Sequence, residues 1–134
     1  MTQAQENDAV SAVADRLVSA FAAHDREAYF AAFSPDATFL FHTSPQLLGS
    51  RAEYEAEWAA WEADGFHVQG CATRDRRIDM VGPGIAVMTH RVRTRLAGVD
   101  EVQRERETIV FAKNDDGRWL AVHEHLSADP DEAP

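Results

Sequence analysis

The groups best suited to acid–base chemistry in this chain are the imidazoles of His123 and His125 and the guanidinium of Arg106. With a side-chain period of two, Trp119, Ala121, His123, His125 and Ser127 fall on one strand face, and Leu120, Val122, Glu124 and Leu126 on the other. Both faces carry apolar residues, and one adds two imidazoles beside a tryptophan. That is the composition of a partly polar cavity wall; a solvent-exposed row on a half-buried sheet is the alternative. On adjacent same-face positions the two imidazoles stand roughly 7 Å apart along the strand. Each titrates near neutrality and can move a proton or bind a carboxylate when charged.

Arg106 shares a face with Arg104, Thr108 and Val110, opposite Glu105, Glu107, Ile109 and Phe111. If the Thr108 face points inward, Arg106 can fork onto a carboxylate or an enolate oxygen; a structural ion pair is the competing reading. Arg91 continues the face of Ile85, Val87 and Thr89 and is placed at a cavity mouth. His42 ends an earlier strand, Phe41 precedes it, and Trp58 and Trp119 supply apolar wall. Catalytic candidates are therefore His123, His125 and Arg106, and ligand-contact candidates His42, Phe41, Trp58, Arg91 and Trp119. A three-histidine metal site would need His123 and His125 with His42 or His90, but one short pair is weak support, so neither a metal nor another cofactor is expected.

These groups must be held by a compact scaffold. The chain has 134 residues, 45% of them hydrophobic, enough for one domain with a real core about residues 6–127. Its net charge of −10 argues against general affinity for nucleic acid or an anionic membrane. The single Cys71 excludes an internal disulfide and fits a reducing compartment. No stretch has the length of a membrane span or the pattern of a secretory leader, so a cytoplasmic location is expected. Glycine-rich phosphate loops and nucleophile elbows are absent.

Residues 6–23 read as an amphipathic helix with Val10, Val13, Leu17, Val18 and Phe21 on one stripe. Asp25 caps a short second helix through Phe33, and Ser50, with Glu53 three residues on, caps a third from Arg51 to Ala63 carrying Tyr54, Trp58 and Trp61. A strand over 37–42 lies between these two helices. Four more strands, over 66–80, 85–97, 102–113 and 118–127, are separated by short breakers and so form an antiparallel meander. Segregated helices beside a mostly antiparallel sheet make an α+β domain. The tail from Ala128 is expected to fray.

This order, with Phe21-Ala22-Ala23-His24-Asp25, Tyr29 to Ala37, Gly49 before the third helix, Arg106-Glu107-Thr108, Asp116-Gly117-Arg118-Trp119 and His123 to Ser127, resembles the SnoaL-like branch of the nuclear-transport-factor-2-like superfamily over residues 6–127. The resemblance implies a cone: a strongly curved antiparallel sheet wrapped around three helices from the N-terminal half and open at one end. It also implies a pocket for a small, partly apolar molecule, and often a homodimer packed through the sheets. Relatives include ketosteroid isomerases, scytalone dehydratase, polyketide cyclases and the association domain of calcium/calmodulin-dependent kinase II. Two functions stay open, a lyase, isomerase or cyclase working by histidine-mediated proton transfer, and a non-catalytic association domain. The isomerase-like relatives place an aspartate base near the end of the first strand. Phe39-Leu40-Phe41-His42-Thr43 has no carboxylate there, and no inward acid is evident from the pattern.

Overall fold

The protein is described by a computed structural model covering residues 2–134. Helix α1 runs Gln3–Ala22, α2 Arg26–Ala31 and α3 Arg51–Ala63; the strands are β1 Phe33–Phe41, β2 Val68–Gly82, β3 Ile85–Leu96, β4 Gln103–Lys113 and β5 Trp119–Ala128. Each helix starts where a side chain can satisfy its free amides. Thr2 and Gln5 form a reciprocal capping box, Asp25 accepts from Ala28 N–H, and Ser50 accepts from Glu53 N–H. The Thr2 cap starts α1 three residues earlier than the apolar stripe indicates. Glu6 thereby joins the fold: it accepts from Lys113 Nζ and Trp119 Nε1, both at 2.9 Å.

The sheet order is β1-β5-β4-β3-β2, antiparallel except between β1 and β5, which run parallel. The sheet is curled but not closed, and α1 lies in its hollow. That helix meets β5 through Glu6 and Trp119, and meets the far strand β2 through Arg76, whose guanidinium donates to Ser11 and, at 2.7 Å, to Asp15. Two bulges sharpen the bend. In β2 an extra residue lies between Arg74 and Arg77, where Asp75 takes φ 60°; in β5 Val122 is the extra residue, since Val110 pairs with His123 and Phe111 with Ala121. A bulge reverses which residues face inward, and both strands show it. Cys71 and Thr73 line the hollow before the β2 bulge, and Ile78 and Met80 pack on the core after it. Trp119 and Ala121 are buried before the β5 bulge, and Glu124 after it.

Between the helices and the sheet lies an aromatic core. The Tyr29 ring lies 5.2–5.3 Å from those of Phe21, Phe30, Phe33 and Trp58, and Tyr54 packs within 4.5–5.1 Å of Phe30, Phe39 and Phe41. The α1–α2 corner is locked by His24, whose φ of 53° is left-handed. Its Nδ1 accepts from Val68 N–H at 3.0 Å, so its Nε2–H donates to Glu62 at 2.8 Å. One ring thus ties the corner to both β2 and α3.

The segment after β5, read from the sequence as frayed, lies against side chains of β3 and β2. The Asp129 side chain is fully covered and accepts from Arg91 at 2.6 Å and Arg93 at 3.0 Å, while Asp131 accepts from Arg74 at 3.0 Å. Leaving water would raise the Asp129 pKa. The Asp131 backbone N–H and the two guanidinium groups outweigh that and hold it well below the usual carboxylate range.

Candidate functional site: a carboxyl-walled cavity

Between the helices and the concave sheet face is a cavity of about 250 Å³. Leu17, Val18, Phe21, Phe41, Trp61, Phe66 and Leu126 supply its apolar side. Glu105, Glu107 and Glu124 stand on its sheet side, with Tyr29 and Tyr54 reaching them from the helices. Their placement follows from strand alternation. Glu105 and Glu107 share the inward face of β4 with the fully buried Ile109 and Phe111, and Glu124 is paired across to Ile109.

The three carboxyls are among the most buried polar groups of the chain, at 4%, 7% and 3% exposure. Each has a partner. His42 Nε2 lies 2.7 Å from Glu105 Oε2 at the cavity rim, and His90 Nε2 lies 2.6 Å from Glu107 Oε1 in the interior. Tyr29 Oη donates to Glu124 Oε1 at 3.3 Å and lies 3.0 Å from Tyr54 Oη. Since the Tyr29 proton is directed at Glu124, Tyr54 is the donor to Tyr29, giving a relay Tyr54→Tyr29→Glu124. Glu107 and Glu124 bond to each other through their carboxyls.

The protonation of this group follows from burial. Removal from water raises all three carboxyls, Glu124 most, because Glu107 adds like-charge repulsion and its carboxylate accepts the Glu124 proton. Removal from water also raises both tyrosines, keeping them as donors. His90 is lowered to about 4, chiefly by burial and further by the charge of Arg76. Its Nδ1 is buried without a partner, so an imidazolium would bury an unpaired N–H. His90 is therefore neutral and donates Nε2–H to Glu107. Of the two carboxyls Glu124 is raised the more and so holds its proton longer, while Glu107 accepts from His90 Nε2–H.

His90 makes stability depend on acidity. An unfolded His90 takes up a proton near 6.5 and the folded one only near 4, so the folded state loses ground as pH falls across that window. At about 1.4 kcal/mol per pKa unit the loss is a few kcal/mol. In urea melts at a series of pH values, the stability of His90→Gln relative to wild type is expected to rise between pH 6.5 and 4. A constant difference across the window would refute the assignment of a neutral, buried His90.

The structure places the residues singled out from the sequence differently. His123, His125 and Arg106 stand on the convex face of the sheet, behind the cavity, and this corrects the inward orientation drawn from strict alternation. Two physical reasons apply: the Val122 bulge hands the inward face to Glu124, and the Ile109–Phe111 side of β4 is the core side. His123 Nδ1 is 2.7 Å from Thr38 Oγ1, and its pKa is lowered by partial burial and then by His125. His125 and Arg106 line a groove with Thr89, Thr108 and Ser127. Arg91 lies on that outer side, paired with Asp129, and not at the cavity mouth. Trp58 is fully buried beneath the cavity wall, and Trp119 closes the α1 end. Phe41 lines the cavity, and His42 reaches its rim through Glu105. The sheet separates His90 from His123 and His125, and no group of three or more metal-ligating side chains is gathered among the described residues. Also among them, no helix is long and apolar enough to cross a membrane.

This architecture, a curled five-stranded sheet holding a cavity against three helices, is that of the nuclear-transport-factor-2-like cone. The sequence pattern of the SnoaL-like domain matches residues 10–131, and the chain belongs to that family. Solved structures agree on the fold. An NTF2-like protein of unknown function from Pseudomonas putida is 18% identical with a TM-score of 0.77, covering 98% of this chain and 92% of that one. A putative scytalone dehydratase from Novosphingobium aromaticivorans is 15% identical with a TM-score of 0.75, covering 92% and 84%. ActVI-ORFA from Streptomyces coelicolor is 19% identical with a TM-score of 0.74, covering 93% and 98%. No curated protein matches the chain in sequence.

Proposed function

We propose that this protein is a small-molecule enzyme of the lyase, isomerase or cyclase type, moving protons through the Glu107–Glu124 pair. The observation that carries this reading is the buried carboxyl pair on the wall of an otherwise apolar cavity, both members raised by burial and Glu124 the more so. Buried and oriented by His90 Nε2–H, Glu107 is a general base with a pKa raised by its removal from water. Glu124 and the Tyr54–Tyr29 relay are matching donors for a developing oxyanion or a leaving hydroxyl. The acid–base work assigned from the sequence to His123 and His125 thus passes to carboxyls, with His90 as the positioning imidazole. An association module has no use for an open cavity walled by costly buried acids, which supports the pocket reading over it. The convex sheet face, carrying Val87, Val110, His123 and His125, is the surface we assign to a homodimer, and half-buried Cys71 suits the cytoplasm.

The test is proton exchange and elimination on a panel of ketones and β-hydroxy carbonyl compounds in deuterium oxide, followed by proton NMR. Turnover by wild type is expected to fall roughly 10²–10⁴-fold in Glu107→Gln and to survive His125→Ala. Equal turnover in Glu107→Gln, or loss confined to His125→Ala, would defeat the assignment.

A further inference from the structure

The side chains lining the cavity include three carboxyls and no Lys, Arg or His. The arginines of β2, β3 and β4 are directed elsewhere or lie outside the lining: Arg91 and Arg93 onto Asp129, Arg74 onto Asp131, Arg76 onto Asp15, Arg77 onto Asp79, Arg106 into the convex groove, and neither Arg95 nor Arg104 lines the cavity. The two imidazoles that touch the acids do so from the rim and from behind Glu107. Glu107 gives up its proton before Glu124, and the deep end then turns negative with no cationic side chain in the lining to compensate it. Facing it is an unbroken arc of aromatic rings, Phe41–Tyr54–Trp61–Phe66, with successive centroids 5.1, 5.9 and 5.5 Å apart.

Carboxyls on one wall and aromatic rings on the other are two independent features that favour the same ligand. A ring face attracts a cation more strongly when water is excluded, and a carboxylate pairs with an ammonium directly. An anionic ligand would meet only like charge in a medium that screens poorly. We infer that the cavity takes an organic amine in its ammonium form, an apolar body seated against the ring arc and its charge on the Glu107–Glu124 pair. This rests on the reading of the cavity as a small-molecule pocket and names a ligand class for it; the amine occupies the Glu107–Glu124 pair instead of serving as the substrate of its proton transfer. The exchange balances in charge and atoms: the ammonium enters with its protons, the proton held between Glu107 and Glu124 leaves to solvent, and both carboxylates then face one cation. Amine binding therefore releases a proton, which a neutral ligand would leave in place.

Isothermal titration calorimetry at pH 7 decides it, with benzylamine and phenethylamine compared against the alcohol and the carboxylate of each skeleton. The amines are expected to bind at least about tenfold more tightly than the alcohols, and the carboxylates not at all. Titration in two buffers of different ionisation enthalpy should show about one proton released per amine bound, and Glu124→Gln should abolish that release while the protein stays folded. Alcohols binding as well as amines, or carboxylates binding better, would overturn the ligand class and leave the pocket standing. Silence from all three series would also overturn it, whereas the deuterium-exchange assay judges the catalytic pair separately.

Discussion

Glu124→Gln is expected to lower turnover roughly 10²–10⁴-fold while making the folded protein more stable at neutral pH. The glutamine is isosteric: its amide NH₂ can donate to Glu107 and its carbonyl can accept from Tyr29, so both hydrogen bonds of the native carboxyl persist. What disappears is the proton. In the unfolded chain Glu124 ionises near 4.5, whereas burial and the neighbouring Glu107 hold its folded pKa well above that. Folding must therefore keep or recapture a proton that the unfolded chain gives up. Its cost is absent below 4.5 and grows with pH until the folded group itself ionises, so wild-type stability falls across this window. Glutamine has no such slope. Thermal melts from pH 4 to 8 should show the variant's advantage widening with pH. A variant that is equally active, or that loses stability relative to wild type as pH rises, would remove Glu124 from the role given to it. A gain in stability with a loss of activity is the expected mark of a group kept for chemistry.

The sequence made the scaffold legible because its signals are local. Ser50 and Asp25 cap helices where they stand, and the three-helix, five-strand order follows from breakers such as Gly82-Pro83-Gly84. The site was less legible because it depends on which face of a strand turns inward. On β4 the sign was available: Glu105 and Glu107 share the face of Ile109 and Phe111, whose cross-strand neighbours include the buried Ala86, Met88 and Ala121. On β5 it was not. The single extra residue at Val122 leaves Trp119 and Ala121 inside and turns His123 and His125 out, and no glycine or proline announces it. His90 and Tyr29 could be placed on elements, but their service to Glu107 and Glu124 joins residues 17 and 95 positions apart. The amphipathic pattern records burial, and buried acids read as surface until their strand face is fixed.

Trp58 separates wall from foundation, and its truncation carries the largest stability loss expected for a single residue here. The side chain is fully buried; its ring lies 5.0–5.9 Å from those of His24, Phe21, Tyr29, Phe30 and Phe66. It thus joins α1, α2, α3 and the entry to β2 without itself lining the cavity. Trp58→Ala should cost about 3–5 kcal/mol, the burial of the indole plus the hole left among rings that cannot close over it. In a domain of this size that is roughly ten degrees or more of melting temperature. Trp61, one turn further on α3, faces the cavity beside Phe66. Trp61→Ala should cost less, because its ring already borders open space, yet it should weaken amine binding by removing part of the ring arc. Thermal melts and calorimetry on the two variants check both statements. If Trp58→Ala melted like wild type while ligand affinity collapsed, Trp58 would belong to the wall as its sequence position first indicated, and the core beneath Tyr29 would have to rest on other rings.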